Sequence, residues 1–208
     1  MVKCKLKMYT NYKGGKRPMT GKYMAYVGSY SYTGKAKGIT VYDVDVEKGQ
    51  FIYRCEVEVD NSSYLKASNS GKVLYSIADE GVVAFRILEN GSLNRLNSVN
   101  IKGMRGCHIS VSPDDDYLFI SGYHDGKITV VKLNEDGSVG TITDGVFHKG
   151  LGSVAERNFR PHVNCVNITP DQKYLCAVDL GVDHVKIYKF DSHTGKIKLI
   201  DMLRCELE

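Results

Sequence analysis

One segment of the chain, residues 150–162 (GLGSVAERNFRPH), concentrates side chains that bind anions and move protons. Arg157 and Arg160 each offer a planar fork of N–H donors that suits phosphate or carboxylate. His162 lies two residues beyond Arg160, and an imidazole titrates near neutral pH and can act as a general base toward water. Cationic groups beside a carbonyl would also stabilise the oxyanion of a tetrahedral intermediate. The segment therefore either binds an anionic carbonyl substrate, or its arginines make structural ion pairs with Glu156 and loop carboxylates.

Further polar residues stand where predicted strands begin or turn. His108 is a second candidate for proton transfer, and the candidates for substrate binding besides Arg157 are Arg105, Asn164, His124 and Asp179. The other histidines, His148, His184 and His193, are expected to be ordinary surface residues. Motifs typical of metalloproteases, serine hydrolases and nucleotide-binding loops are absent from the sequence, so we expect neither a metal nor a cofactor.

Four similar segments supply the strands that would position these residues. Each contains three or four short runs of β-branched and aromatic residues separated by Gly, Asp and Asn. The pairs Asn90-Gly91 and Asp136-Gly137 are strong hairpin signals, because both central residues of a tight turn need positive φ. A repeat of about 40–50 residues built from four antiparallel strands is typical of a propeller blade. The sequence therefore predicts an all-β propeller with about four four-stranded blades.

The repeats divide the chain into blades at about 23–60, 61–102, 103–145 and 161–203, with an insertion loop at 146–160. Residues 1–22 read as a basic tail, because they hold seven Lys and Arg and no acidic residue; removing these seven charges from the net +4 leaves −3. The first blade is expected to lack its innermost strand, and no segment remains to close a ring. We therefore expect a piece of a longer protein, or association of another copy through the open blade edges.

Composition narrows the function classes further. The sequence has no apolar run long enough to span a bilayer and no secretory signal at its start, so we expect a cytoplasmic protein that does not bind membranes. Six cysteines without a C-x-x-C pair are expected to be reduced thiols. No basic stripe with interleaved aromatic residues is present, which argues against nucleic-acid binding. The absence of Trp excludes the WD40 family.

Strand direction predicts which loops share a face. In an antiparallel blade with strands a to d, the start of a, the b–c turn and the end of d lie at one end. The candidate residues named above occupy these places, so they are expected to gather at one mouth of the central channel. A ligand pocket is expected there.

Several motifs resemble one known family. They are 26–30 (YVGSY), 106–110 (GCHIS), 122–126 (GYHDG) and above all 160–171 (RPHVNCVNITPD). These segments are similar to those of the seven-bladed propeller lactonases of the 6-phosphogluconolactonase type, and the likeness runs from about Tyr23 to Glu208. The resemblance implies the N-terminal four blades of an incomplete seven-bladed ring. It also implies metal-independent hydrolysis of an anionic sugar lactone such as 6-phosphoglucono-δ-lactone, in the pentose phosphate pathway.

The resemblance has one departure at the candidate site. The family often reads Pro-His-x-His in the fourth blade, and the second of these positions is Asn164 here. An amide can donate a hydrogen bond but cannot act as a base. Two functions therefore stay open: a lactonase in which His162 or His108 transfers the proton, or a catalytically inactive propeller that binds a metabolite or protein partner through the same face. A third alternative, without a ligand site, is a pure assembly module whose open blade edges pair with another copy.

Overall fold

The computed structural model describes residues 8–9, 23–152 and 159–205. Within these ranges sixteen strands form four separate antiparallel sheets of four strands each, which confirms the predicted propeller blades. The first strands of blades two, three and four contact one another in turn, and the second strand of blade one contacts the first strand of blade two, so the sheets fan out from a common inner edge. Four sheets do not close a ring, and the propeller formed by this chain is incomplete.

The strands of blades one and two follow one another in chain order. Blade one comprises β1 (Met8–Tyr9), β2 (Tyr23–Gly28), β3 (Gly38–Asp45) and β4 (Gln50–Glu58). Blade two comprises β5 (Leu65–Ala67), β6 (Val73–Ile77), β7 (Gly81–Ile87) and β8 (Leu93–Asn100).

Blades three and four repeat the same order from strand a to strand d. Blade three comprises β9 (His108–Val111), β10 (Tyr117–Gly122), β11 (Lys127–Leu133) and β12 (Val139–Phe147). Blade four comprises β13 (Val163–Ile168), β14 (Tyr174–Asp179), β15 (His184–Asp191) and β16 (Lys196–Arg204).

Two details differ from the sequence-based expectation. Blade one does have an innermost strand, because β1 pairs with β2 through Met8 opposite Ala25. This strand falls inside the predicted tail 1–22, whose other residues lie outside the described ranges. In addition, β12 continues to Phe147, so the insertion begins at His148 rather than at residue 146.

Apolar layers between the blades hold the sheets together. Successive side chains of a strand point to opposite faces of its sheet. In β7, Val82 and Ala84 pack toward blade three, whereas Val83 and Phe85 pack toward blade one. Because both faces of an inner blade are buried, its central strands are apolar at nearly every position, and alternation of polar and apolar residues is lost.

Tyrosine side chains connect each blade to the c–d turn of the next. Tyr26, Tyr75 and Tyr117 donate hydrogen bonds to the carbonyl oxygens of Gly91, Gly137 and Ser192, at 2.8, 2.9 and 3.0 Å. Burial raises the pKa of Tyr26 to about 12, so its hydroxyl stays protonated and can donate. The turn glycines at 49, 91, 137 and 195 all have φ between 63° and 80°. The expectation of positive φ at both central residues is wrong, because Asn90 and Asp136 do not have it and the last hydrogen-bonded pairs, Leu88 with Ser92 and Asn134 with Ser138, leave three-residue loops.

The outer faces of the first and last blades are not packed against another sheet of the described chain. Phe51 and Tyr53 of blade one are 51% and 62% exposed, and Tyr174 of blade four is 38% exposed. No helix in the described part of the chain has the length and apolarity that a membrane span needs.

Candidate functional site

Backbone hydrogen bonds define one end of the propeller, called the rim below. At this end the strand d terminus lies against the b–c turn of its own blade: His148 N donates to Gly126 O and Cys205 N donates to Asp183 O, both at 2.8 Å. The residue before strand a also lies here, since Leu180 N donates to His162 O at 3.0 Å. All predicted site residues that the structure describes lie at or near the rim.

Asp179, the last residue of β14, anchors the segment that enters blade four. Its Oδ1 accepts the backbone N–H groups of His162 at 2.7 Å and Gly181 at 2.9 Å. The two segments approach so closely that a Cβ at Gly181 would lie 1.9 Å from the Arg160 carbonyl oxygen. Glycine is therefore required at this position, and Asp179 fixes the backbone of the Arg-Pro-His motif.

The ring of His162 is held in one tautomer. Its Nδ1 lies 2.6 Å from the carbonyl oxygen of Tyr123, in the b–c turn of blade three. A carbonyl only accepts, so Nδ1 carries the proton and Nε2 is the basic nitrogen. The ring stacks on Tyr123 with centroids 4.4 Å apart, and Phe159 meets it edge-on at 6.4 Å. His162 is only 6% exposed, and the chemistry that Nε2 of the neutral ring could perform is acceptance of a proton.

Behind His162 lies a buried chain of three polar side chains. Asp179 Oδ2 accepts Nδ1–H of His148 at 2.6 Å, and in the neutral ring Nε2 accepts the hydroxyl of Tyr188 at 2.9 Å. Burial raises the pKa of Tyr188 to about 12, which keeps this donor protonated. Burial also acts to raise the pKa of Asp179, but the hydrogen bonds from His148, His162 N and Gly181 N outweigh it, and the pKa lies below its usual value.

The expectation that His148 is a surface residue is wrong. Its side chain is fully buried, because the end of β12 turns inward between blades three and four. Asp179, predicted as a substrate-binding residue, is also buried and bonded to three donors, so its oxygens face the protein. The position of His148 directly after an outer strand, at the same end as Asp179, was the sequence signal that could have indicated this pair.

Arg160 stands exposed beside His162. Its guanidinium lies 5.5 Å from the centroid of the Phe159 ring, and it makes no ion pair with a carboxylate of the described residues. Glu156, the carboxylate expected as its structural partner, lies outside the described residues. His124 is also exposed and meets Tyr123 edge-on at 5.5 Å. Arg157 lies outside the described residues.

His108 and Asn164 lie further toward the inner strands. His108 Nδ1 accepts the backbone N–H of Val166 at 3.5 Å, and its Nε2 lies 3.7 Å from Sγ of Cys165. Tyr64 covers the ring at a centroid distance of 4.8 Å. The ring of His108 thus has neighbours on β13 and blade two, whereas His162 packs on the b–c turn of blade three. Asn164 is half-buried, and its backbone carbonyl oxygen accepts a weak hydrogen bond from the Sγ–H of Cys107 at 3.5 Å.

Arg105 belongs to a different cluster on the rim, toward blade one. Its guanidinium pairs with Asp79 at 2.8 Å, bonds the hydroxyl of Tyr32 and lies 5.0 Å from the centroid of Tyr30. Desolvation acts to lower the pKa of Arg105, but these hydrogen bonds raise it above its usual value. Among the described residues no group of three or more His, Cys, Asp or Glu is arranged to hold a metal ion.

Comparison with known proteins relates the chain to lactonases. A curated 6-phosphogluconolactonase of Bacillus subtilis (strain 168) is 34% identical over 174 residues, which cover 81% of this chain and 49% of that protein. A crystal structure from Bacteroides fragilis, provisionally assigned as a 6-phosphogluconolactonase, superposes with a TM-score of 0.81 at 29% identity, over 92% of this chain and 57% of that one.

A further solved structure, of a periplasmic gluconolactonase from Pseudomonas aeruginosa, shares the fold with a TM-score of 0.80 at 24% identity, over 89% of this chain and 55% of that one. The chain spans about half the length of the curated relatives it matches. Residues 24–206 match the family described as "Lactonase, 7-bladed beta-propeller". Together with the four fanned sheets, this match shows that the chain belongs to the seven-bladed β-propeller lactonase family.

Proposed function

We propose that this protein hydrolyses an anionic sugar lactone, 6-phosphoglucono-δ-lactone or a close analogue, with Nε2 of His162 as the general base. The observation that carries the proposal is the contact between Nδ1 of His162 and the Tyr123 carbonyl, because it makes Nε2 the basic nitrogen of the neutral ring. The name of the Bacillus subtilis relative supports the choice of substrate. The exposed Arg160 beside this ring supplies the positive charge that an anionic substrate needs.

The proposed reaction needs only side chains of this chain and a water molecule. Nε2 of His162 takes a proton from the water, whose oxygen adds to the lactone carbonyl. Cationic side chains beside the carbonyl stabilise the resulting oxyanion. When the ring C–O bond breaks, the imidazolium returns the proton to the departing alkoxide, which becomes a hydroxyl group, and the product is an open-chain carboxylic acid.

The other predicted residues receive supporting roles in this proposal. Arg157 and Arg160 bind the anionic group of the substrate, while Arg105, Asn164 and His124 contact its hydroxyl groups. His108 is the alternative proton acceptor. Asp179 acts as a positioning residue, because its Oδ1 accepts the backbone N–H of His162 and so fixes the position of that residue. We also place the reaction in the pentose phosphate pathway and the protein in the cytoplasm. In that reducing compartment free thiols stay reduced, and the described cysteines are all free: Cys55, Cys107, Cys165, Cys176 and Cys205.

Lactone hydrolysis by the 208-residue protein at pH 6.5–7, where spontaneous opening is slow, tests the proposal. Loss of a general base costs about 10²–10⁴-fold in rate, so His162→Gln should lower kcat by that order. Arg160→Ala removes a charged hydrogen bond worth about 1.5–3 kcal/mol, and should lower kcat/KM for the phosphorylated lactone more than for glucono-δ-lactone. His193→Gln, in a solvated turn at the opposite end, is the matched control and should leave both rates unchanged.

The outcome separates the two open functions. Asn164 favours the alternative of a catalytically inactive propeller, because its amide cannot serve as a base. If wild-type protein does not accelerate hydrolysis yet binds 6-phosphogluconate in a manner lost with Arg160→Ala, the rim is a binding site. A catalysed rate that the Arg160→Ala and His162→Gln double variant retains would reject this site altogether.

A further inference from the structure

A cavity that is partly open to solvent lies at the outer part of the rim, between blades three and four. Its volume is about 360 Å³, within the range of small-molecule sites. The end of β12 and the outer strands of blade four form it, and its lining residues are Val146, Phe147, His148, Lys149, Lys186, Tyr188, Ile197, Leu199 and Met202. Neither Arg160 nor His162 lines this cavity, so it is separate from the proposed lactone site.

The most unusual group in the cavity is Lys186. Its side chain lies on β15 and the residue is only 6% exposed. Burial lowers the pKa of Lys186, and the nearby charge of Asp179 opposes this effect only in part. No carboxylate or carbonyl oxygen of the described residues bonds its ammonium group. The Nζ atom of Lys186 is not among the fully buried, unpartnered polar atoms of the described residues, so the ammonium group is open to a ligand in the cavity that the residue lines.

The other buried lysine shows what a structural solution looks like. Lys127 is 7% exposed, and its Nζ donates to the carbonyl oxygens of Ile101 at 2.7 Å and Lys102 at 2.9 Å. These bonds satisfy the cation within the protein and tie blade three to blade two. Lys186 has no such carbonyl partners among the described residues, although it is equally buried.

Asp179, the nearest source of negative charge, is already engaged. One oxygen accepts the two backbone N–H groups, the other accepts His148, and Tyr188 donates its proton to His148 rather than into the cavity. Lys149 adds a second, exposed cation at the cavity mouth. The remaining walls are mostly apolar, because Val146, Ile197, Leu199 and Met202 form them.

We propose that this cavity is a binding site for a small amphipathic carboxylate, whose anionic head pairs with the ammonium group of Lys186 and whose hydrocarbon part packs on the apolar wall. An anion supplies a direct counter-charge for the ammonium group, and a charge-assisted N–H···O bond is strong. The hydrocarbon part gains about 0.8 kcal/mol for each CH₂ group it buries. A purely polar anion would lack the free energy gained from burying CH₂ groups and should bind more weakly.

Calorimetric titration of the 208-residue protein at pH 7 with hexanoate, hexanol and gluconate as probes tests the site. Hexanoate should bind at least about tenfold more tightly than either other probe, in keeping with one charged hydrogen bond and a buried chain. Lys186→Met keeps most of the length of the side chain and removes the charge. This variant should lose at least about tenfold in hexanoate affinity, with its affinity for hexanol unchanged or raised.

Two control variants separate this site from others. Lys189→Met removes an exposed lysine of the same strand and should leave hexanoate binding unchanged. Arg160→Ala should leave it unchanged as well, so that failure of the lactonase proposal and failure of this one are distinguishable. Hexanoate should also raise the thermal midpoint of the wild type and not that of Lys186→Met. Equal binding of hexanoate by wild type and Lys186→Met, or no binding to the wild type at millimolar concentration, overturns the proposal.

Discussion

At the scale of single residues, Asp179 connects most of the polar groups between blades three and four. Its two carboxylate oxygens receive His148 Nδ1–H and the N–H groups of His162 and Gly181. The residue thereby fixes the backbone of the Arg-Pro-His motif on one side and the buried His148 on the other. A single carboxylate thus links the proposed base to the packing of the neighbouring blade.

We expect Asp179→Asn to destabilise the fold by about 2–4 kcal/mol at pH 7, because an amide replaces a charged acceptor of three N–H donors. The pKa of Asp179 is lowered in the folded state, so its contribution is complete above the unfolded value of about 3.9 and is lost as the pH falls through the folded value. Urea unfolding of both proteins at pH 7 and pH 3 measures the difference, which should shrink at pH 3.

The exposed Asp60 provides the control for this measurement. Asp60→Asn changes the same functional group at the protein surface and should alter the free energy of unfolding by less than about 0.5 kcal/mol. A difference between wild type and Asp179→Asn that stays constant from pH 7 to pH 3 would contradict the assignment of a lowered pKa to this carboxyl.

At the scale of elements, the c–d turns join the blades. Gly137 has a φ of +80°, and a Cβ there would lie 2.7 Å from Cγ2 of Val73 in blade two. Gly49 occupies the corresponding turn of blade one with a φ of +63° and has nothing within 4 Å of a Cβ. The two glycines therefore share the backbone requirement, and only one of them has the close contact with a neighbouring blade.

This pair allows the contact energy to be measured. Gly49→Ala should cost about 1–2 kcal/mol for a side chain at positive φ. Gly137→Ala should cost about 1–3 kcal/mol more than that, because the added methyl overlaps the preceding blade. The free energies of unfolding in urea give both values. Equal losses of unfolding free energy in the two variants would show that the turn of blade three makes no tight contact with blade two.

The blades were predictable from the sequence because their determinants are local. Turn dipeptides such as Asn90-Gly91 and the β-branched runs beside them each act within a few residues. The pairing of β1 with β2 was not predictable, since a two-residue strand carries no alternation and its partner lies some fifteen residues away. The burial of His148 was missed for a related reason: it is created by contacts between two blades, and only the shared end of two strands in the predicted topology, not a local pattern, points to it.

At the scale of the whole molecule, the two end faces distinguish this chain from a closed ring. In blade three, Phe119 pairs with Val130 and both are fully buried against blade four. The corresponding pair in blade four, Cys176 and Ile187, is only partly buried, because the described chain provides no sheet beside it. Exposed apolar area of this kind favours association through the sheet face.

We therefore expect the 208-residue protein to associate as its concentration rises, and sedimentation velocity over a hundredfold range of concentration measures this. Ile187→Lys places a charge in the middle of the open face and should shift the protein toward the monomer, because burying an unpaired ammonium group in an interface is costly. Asn94→Lys adds the same charge to an exposed position of β8 and should leave the association unchanged. A wild-type protein that sediments as a monomer throughout and binds no apolar dye would show that these faces do not drive association.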